Sequence, residues 1–354
     1  MAFHRIAWLC LALAVCAGEP GSPPLPPLPP AADMARDISE LRVMSYNVKG
    51  LPWPFAVQRK AALDAIGMRL AAMRKADDHP QIVVLQEAFL DDAKRIGRLG
   101  GYRHLAFGAG PATAAILPAP PIGGRYASQA SWLKGEDFGP VLDSGLALFS
   151  DYPIERIERL TFPQGACAGY DCLASKGVLI AWIRLPGRRE PLAVATTHLN
   201  SLNSSGVPEA RSNAAFAWQY GSLHAFARSR IGGDQAAIVA GDFNLGGDVQ
   251  RFATADRIGA PLSRAHDAVG ETLARDAVAM ADRAEARAVS ARRTDRQYYR
   301  SGRGLTLQPT GIEIPFPMTG AARPLSDHPG VMVGYAINGS IDEHAAMPAS
   351  HSRG

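Results

Sequence analysis

Seven polar residues stand at the ends of short apolar runs. Asn47 follows the run 41–46 and Glu87 follows 82–86; His198 follows 191–197, and Asp242 and Asn244 follow 237–240. Asp327 and His328 precede the run 330–336. As chemical types they suit the hydrolysis of a phosphoester. A hard divalent cation such as Mg²⁺ takes oxygen ligands, commonly one or two carboxylates, and completes its shell with water and substrate phosphate. Glu87 and Asp327 are carboxylates of that kind. Attack on phosphorus needs a positioned water and a base, which a His–Asp pair supplies. The transition state gathers charge on non-bridging oxygens, where amides, imidazolium and metal stabilise it. Taken singly, each residue has an ordinary explanation as a turn residue, a cap or a structural histidine. The argument rests on the set and on its place at strand ends, where loops of an α/β domain converge.

The elements that must position these residues are legible as runs. The segments 41–46, 82–86, 145–149, 177–184, 191–197, 237–240 and 330–336 are short, apolar and bounded by turn residues, which predicts buried strands. Helical patterns cover 57–75, 209–230 and 270–293. No second linker and no repeat interrupts 41–337, so the strands and helices predict one large α/β domain. Residues 109–140 are rich in Gly, Pro and Ala and predict a long loop.

Composition bounds the rest. With 47% hydrophobic and 20% charged residues the chain is not disordered as a whole. A net charge of +4 over 354 residues is far from the dense basic stripe of a dedicated nucleic-acid binder. Residues 1–17 read as an export signal: His4 and Arg5, then an apolar run over 6–15 that is too short to span a membrane. Secretion or a periplasmic location is the expectation, with lipid anchoring through Cys16 as a second reading. Residues 18–38 form a Pro-rich linker, either a stalk or a disordered leader, and 338–354 a polar tail. Outside the signal only Cys167 and Cys172 remain, and a disulfide between them is expected in an exported protein.

Five motifs in order carry a family resemblance: Tyr46-Asn47, Gln86-Glu87, Thr197-His198-Leu199-Asn200, Gly241-Asp242-Phe243-Asn244 and Ser326-Asp327-His328. The set resembles the endonuclease/exonuclease/phosphatase superfamily over 41–337. The resemblance implies a four-layer α/β sandwich, with two mixed β-sheets packed face to face and flanked by helices, and a catalytic domain over 39–337. It implies Glu87 as the principal ligand of Mg²⁺ or another divalent cation such as Mn²⁺, with Asn47 and Asp327 beside the metal and phosphate. His328 would activate water, with Asp242 orienting it and Asn244 holding the nucleophile or a phosphate oxygen. His198 would stabilise the phosphorane or protonate the leaving group. The aspartate that holds the final histidine in the family is best matched by Asp295.

Within the superfamily, three features resemble the bacterial sphingomyelinase branch: Gly145 to Ser150 followed by Tyr152-Pro153-Ile154, Asp171 to Val178 with its Lys176-Gly177-Val178, and His198 within Thr-His-Leu-Asn. The resemblance then implies a monomeric, metal-dependent phosphodiesterase acting at a phospholipid membrane surface, with Asn200, Lys176 and Asp171 near the substrate and no protein partner. An extracellular deoxyribonuclease acting on nucleic acid, a phosphoinositide phosphatase and a non-enzymatic binder that keeps the fold are the alternatives. The segment 312–318 alternates Ile312, Ile314, Phe316 and Met318, fitting either a lipid-docking element or a half-buried edge strand. Trp53 and Trp132 suit either a lipid interface or ordinary partial burial.

Overall fold

Both faces of the apolar runs are covered, which is why they read as continuous rather than alternating. In the computed structural model, described for residues 23–113, 124–163, 165–320 and 323–339, all seven runs are strands. Sheet 1 has the order β11 (Leu305–Phe316), β12 (Gly330–Gly339), β1 (Glu40–Gly50), β2 (Ile82–Ala88), β4 (Ala147–Ser150) and β3 (His104–Phe107). Sheet 2 has the order β5 (Ile154–Thr161), β6 (Gly177–Ile183), β7 (Leu192–His198), β8 (Ala237–Asp242), β10 (Asp295–Arg300) and β9 (His266–Asp267). Each sheet is antiparallel except for one central parallel pair, β1–β2 in sheet 1 and β7–β8 in sheet 2.

The layers follow from strand alternation. Val43, Ile82 and Val84 point inward and meet Leu179, Ala181, Val194 and Ile238 of the other sheet in the central core. Their neighbours Met44, Val83 and Leu85 point outward onto α1 (Arg59–Lys75) and α2 (Asp91–Leu99) through Leu63, Ile66, Leu70 and Ile96. Sheet 2 does the same with Ile180, Ala195 and Val239 against Phe216, Tyr220 and Leu223 of α4 (Glu209–Arg230). A short α3 (Gly124–Ser128) lies in the long loop, and α5 (Val249–Ile258) joins the outer layer of sheet 2. This is the four-layer sandwich.

Several expectations need correction. The pattern 270–293 is two helices, α6 (Ala268–Ala274) and α7 (Arg283–Arg292), parted where Asp276 takes a positive φ of 57°. Ala/Arg composition supplies helix propensity and does not mark the break. Of the two readings of 312–318, the edge strand is the one seen: up to Phe316 the segment belongs to β11, with Ile312, Ile314 and Phe316 buried. Its Pro309 and Pro315 fit an edge position, since proline cannot donate to a ladder. The Pro-rich stretch does not stand off the domain over its described part. Arg95 bonds the Pro23 carbonyl, Arg103 Nε donates to the Pro29 carbonyl at 2.7 Å, and Arg188 Nη2 donates to the Ile38 carbonyl at 2.8 Å. The tail begins two residues later than expected, because β12 runs to Gly339. The expected export signal, Cys16 and the rest of the tail lie outside the described residues, as does part of the 109–140 loop.

Candidate active site

Strand register assembles the site. In sheet 2, His198 pairs with Asp242 across β7–β8, and Asp242 pairs with Asp295 across β8–β10. Three chemical groups expected from distant stretches of sequence thus sit side by side at one sheet edge. Gly241 permits this crowding, because a Cβ there would lie 2.2 Å from the Thr197 carbonyl oxygen. In sheet 1, Asn47 pairs with Gln86 across β1–β2, which brings Asn47 beside Glu87. Glu87 has a positive φ of 54°, Lys49 of 49° and Asn244 of 51°, so left-handed non-glycine backbone gathers at the strand ends that face one another.

Asn47 joins the two sheets. Its Nδ2 donates to Glu87 Oε1 and to Asp242 Oδ2, both at 3.0 Å. Asp242 Oδ1 accepts from the Asn244 backbone N–H at 2.9 Å, and Oδ2 lies 3.5 Å from His198 Nε2 and 3.7 Å from His328 Nε2. Asp295 holds His328 from behind, with both carboxylate oxygens 3.1 Å from Nδ1. Lys176 is buried and fully engaged: its Nζ is 2.6 Å from Asp171 Oδ1, 3.0 Å from the Leu199 carbonyl and 3.3 Å from His198 Nε2. Asp171 Oδ2 accepts from the Ser201 N–H at 2.6 Å, and the Cys167–Cys172 disulfide closes the turn that carries it. Asp327 Oδ2 pairs with Lys49 Nζ at 2.7 Å.

The two imidazoles are driven apart. Burial, the Lys176 ammonium and His328 hold His198 well below the ordinary histidine value, so it is neutral. Burial also opposes a charge on His328, but the Asp295 and Asp242 carboxylates outweigh it and raise its pKa. Burial raises the pKa of Asp242 in turn, with His328 opposing. Glu87 is pushed up to about 7, first by burial, against the Asn47 hydrogen bond.

These groups frame a cleft of ≈ 260 Å³. Of the expected residues, Glu87, Asp171, Lys176, His198, Asp242, Asn244, Asp327 and His328 line it. Asn47 and Asp295 support the wall from beneath. Asn200 does not reach the cleft: it is buried, with Oδ1 accepting from the Ala168 N–H at 2.9 Å and Nδ2 donating to the Ser201 carbonyl at 3.0 Å. Its role is to tie the disulfide turn to the end of β7. Sequence reasoning missed Lys49, Phe55, Tyr170 and Ser204 on the lining. Lys49 had a signal, standing two residues beyond Asn47 on the same strand. Sequence reasoning also missed Arg251, fully buried, whose Nη1 donates to the carbonyls of Asn200 at 2.8 Å and Asn244 at 2.5 Å. It clamps the backbone beyond β7 to that beyond β8. Nothing distinguished it among the other arginines.

Glu87 fits a divalent cation. It is a desolvated carboxylate whose one ion-pair-range neighbour among the described residues is His198, 4.0 Å away and held neutral. Its hydrogen-bond donor is a neutral amide. Among the described residues no group of three or more His, Cys, Asp or Glu forms a metal cage. Asp327 lines the same cleft, where its Oδ2 pairs with Lys49 Nζ.

Residues 44–328 match the model of the Endonuclease/Exonuclease/phosphatase family. The chain is 26% identical over 307 residues to a sphingomyelinase of Mycobacterium bovis, covering 84% of this chain and 52% of that one. It thus spans about half the length of the curated relatives it matches. Beta toxin from Staphylococcus aureus, in a mutant form with bound magnesium ions, shares the fold at a TM-score of 0.55 and 16% identity, covering 83% of this chain and 99% of that one. D. rerio TDP2 complexed with single strand DNA product shares it at a TM-score of 0.51 and 17% identity, covering 84% and 99%.

Proposed function

The chain belongs to the endonuclease/exonuclease/phosphatase family, and from that premise we propose that it is a metal-dependent phosphoric diester hydrolase of the sphingomyelinase type. Its substrate is sphingomyelin or a related phospholipid, cleaved by water at phosphorus to ceramide, or the lipid alcohol, and a phosphorylated head group. The observation that carries the reading is one cleft holding two imidazoles of opposite charge preference, both within 3.7 Å of Asp242, opposite an uncompensated Glu87. Paired groups with pKa values pushed apart are the signature of acid–base work. The relatives named as sphingomyelinases support the lipid branch.

Asp295 fixes the His328 ring so that Nε2 faces Asp242 and the cleft. Asn47 holds the Glu87 and Asp242 carboxylates together, and Arg251 keeps the Asn244 loop in register with His198. Burial disfavours a charge on His198, and Lys176 adds to that effect while holding the ring in place. Glu87 would hold a divalent cation, which would supply positive charge against a phosphate oxygen. In its neutral form His328 would accept the proton of the attacking water at Nε2, with His198 standing across Asp242 from it.

The test is incubation with mixed sphingomyelin and phosphatidylcholine vesicles plus Mg²⁺, beside His328→Ala and a chelator control. Ceramide release that requires both the metal and His328 is the expected result. Hydrolysis of phosphatidylcholine alone would remove sphingomyelin as the substrate, and cleavage of plasmid DNA at low protein concentration would replace the lipid reading. A biological effect that survives loss of Glu87 would mark a binder.

A further inference from the structure

Seven of the thirteen large apolar side chains that stand exposed among the described residues belong to two loops: Trp53, Phe55 and Val57 on one, Trp132, Leu133, Phe138 and Val141 on the other. Trp53 and Leu133 are each 80% exposed and Trp132 61%, so these are standing side chains rather than partly covered core. Both loops border the cleft. Phe55 lines it and meets Tyr170, another lining residue, edge-on at 5.4 Å. Lys134 Nζ donates to the Tyr170 hydroxyl at 3.2 Å, and Leu142, next to Val141, lines the same cleft. The apolar groups therefore form a rim around the mouth through which a substrate must pass. Rims of this kind on an otherwise polar surface mark interaction sites.

Charge selects the partner. The segment 51–58 carries no ionisable side chain. On 129–142 the charged residues are Lys134, Glu136 and Asp137, and Glu136 is turned inward onto Arg211 at 2.6 Å. A nucleic acid or an anionic membrane selects clustered Lys and Arg. Two tryptophans, two phenylalanines and aliphatic side chains, with Lys134 the one basic residue on the two segments 51–58 and 131–142, match the interface of a neutral, zwitterionic bilayer, where amphipathic rings settle.

We propose that the loops 51–58 and 131–142 form a membrane-docking rim. It seats the cleft on a zwitterionic phospholipid surface, so that a head group enters without the lipid leaving the bilayer. This deepens the phospholipid reading and rests on it for the substrate. It also places docking on loops beside β1 and β4 rather than on the edge strand β11, whose apolar side chains are buried.

The experiment compares the purified chain with a Trp53→Ser/Trp132→Ser/Leu133→Ser variant. These positions are exposed and do not line the cleft, and thermal melting checks that the variant folds. Three readouts run together: co-sedimentation with sphingomyelin/phosphatidylcholine vesicles, hydrolysis of those vesicles, and hydrolysis of a short-chain sphingomyelin below its micelle concentration. The expected result is about ten- to a hundredfold weaker vesicle binding, with a parallel loss of vesicle hydrolysis and unchanged turnover of the soluble lipid. Vesicle binding that depends on the three residues, with neither lipid hydrolysed, would support the rim and sink the substrate reading. Equal sedimentation of both proteins, or none by the parent, would overturn the rim. So would a dimer in the ultracentrifuge that the substitutions dissociate while vesicles are ignored, since the occupant would then be a second copy.

Discussion

The two sheets are built to the same pattern and end in different chemical groups. Each has six strands, with one parallel pair at its centre and antiparallel neighbours outside it. The pair β1–β2 ends in an amide and a carboxylate, Asn47 and Glu87, with Lys49 just beyond. The pair β7–β8 ends in an imidazole and a carboxylate, His198 and Asp242. In the function proposed above, the first edge offers oxygen to a cation and the second offers partners for protons. The frame brings strand ends together; the residue at each end decides what they do. Two of the contacts that cross between the sheets tie the candidate site together. Asn47 of sheet 1 bonds Asp242 of sheet 2, and His328, on the segment entering β12 of sheet 1, is held by Asp295 of sheet 2.

The comparison breaks most sharply at Asp242. Asp242→Asn removes the charge that both imidazoles face, and kcat/KM is expected to fall by about 10²–10⁴, measured by steady-state kinetics. A loss under tenfold would show that sheet 2 does not carry the proton transfers. Glu87→Gln tests the other edge, with about a hundredfold loss and a remaining rate that no longer responds to chelator. Retained chelator sensitivity would place the cation elsewhere. Asn47→Ala severs the bridge between the sheets and leaves buried acceptors short of a donor. The expected cost is about 1–3 kcal/mol in denaturant unfolding, and an unchanged midpoint would show that the edges hold together without it.

The smallest effect concerns sheet 2 alone, behind its outer face. Burial lowers the pKa of His224 from 6.5 to about 4, and its ring packs on Tyr220 at 4.9 Å. Above pH 6.5 both folded and unfolded chains carry it neutral. Between 6.5 and 4 the unfolded chain takes the proton first, so stability falls as pH falls, and the loss levels off below 4. His224→Phe keeps the ring stacking and is expected to flatten that part of the stability–pH curve. An unaltered slope would assign acid sensitivity to the carboxylates of the cleft.

The sequence announced strands where both faces are apolar, as in β6, β7 and β8, whose residues are all buried. It concealed β5 and β10. β5 is an edge strand whose charged side chains face solvent, and β10 buries Arg296, Gln297 and Arg300 through specific polar contacts rather than apolar area. Polar burial has no period to read. The motif residues were legible because catalytic types at strand ends stand out against apolar runs. Asp295 was visible only through family resemblance, and β-pairing opposite Asp242 is what brings it to His328. Lys49 and Arg251 were lost among residues of the same type, since nothing local separates a clamp from a solvated charge.

The pairing of β1 with β12 has a consequence in time. Sheet 1 is finished only when the last strand folds back on the first, the slowest kind of contact a chain makes. His328 comes on the segment just before that strand, and its holder Asp295 belongs to the opposite sheet. A chain cut between Asp242 and His328 would hold Glu87 and Asp242 but no seated His328. The candidate site is therefore complete only where the pairing that joins the two ends of sheet 1, far apart in sequence, has formed.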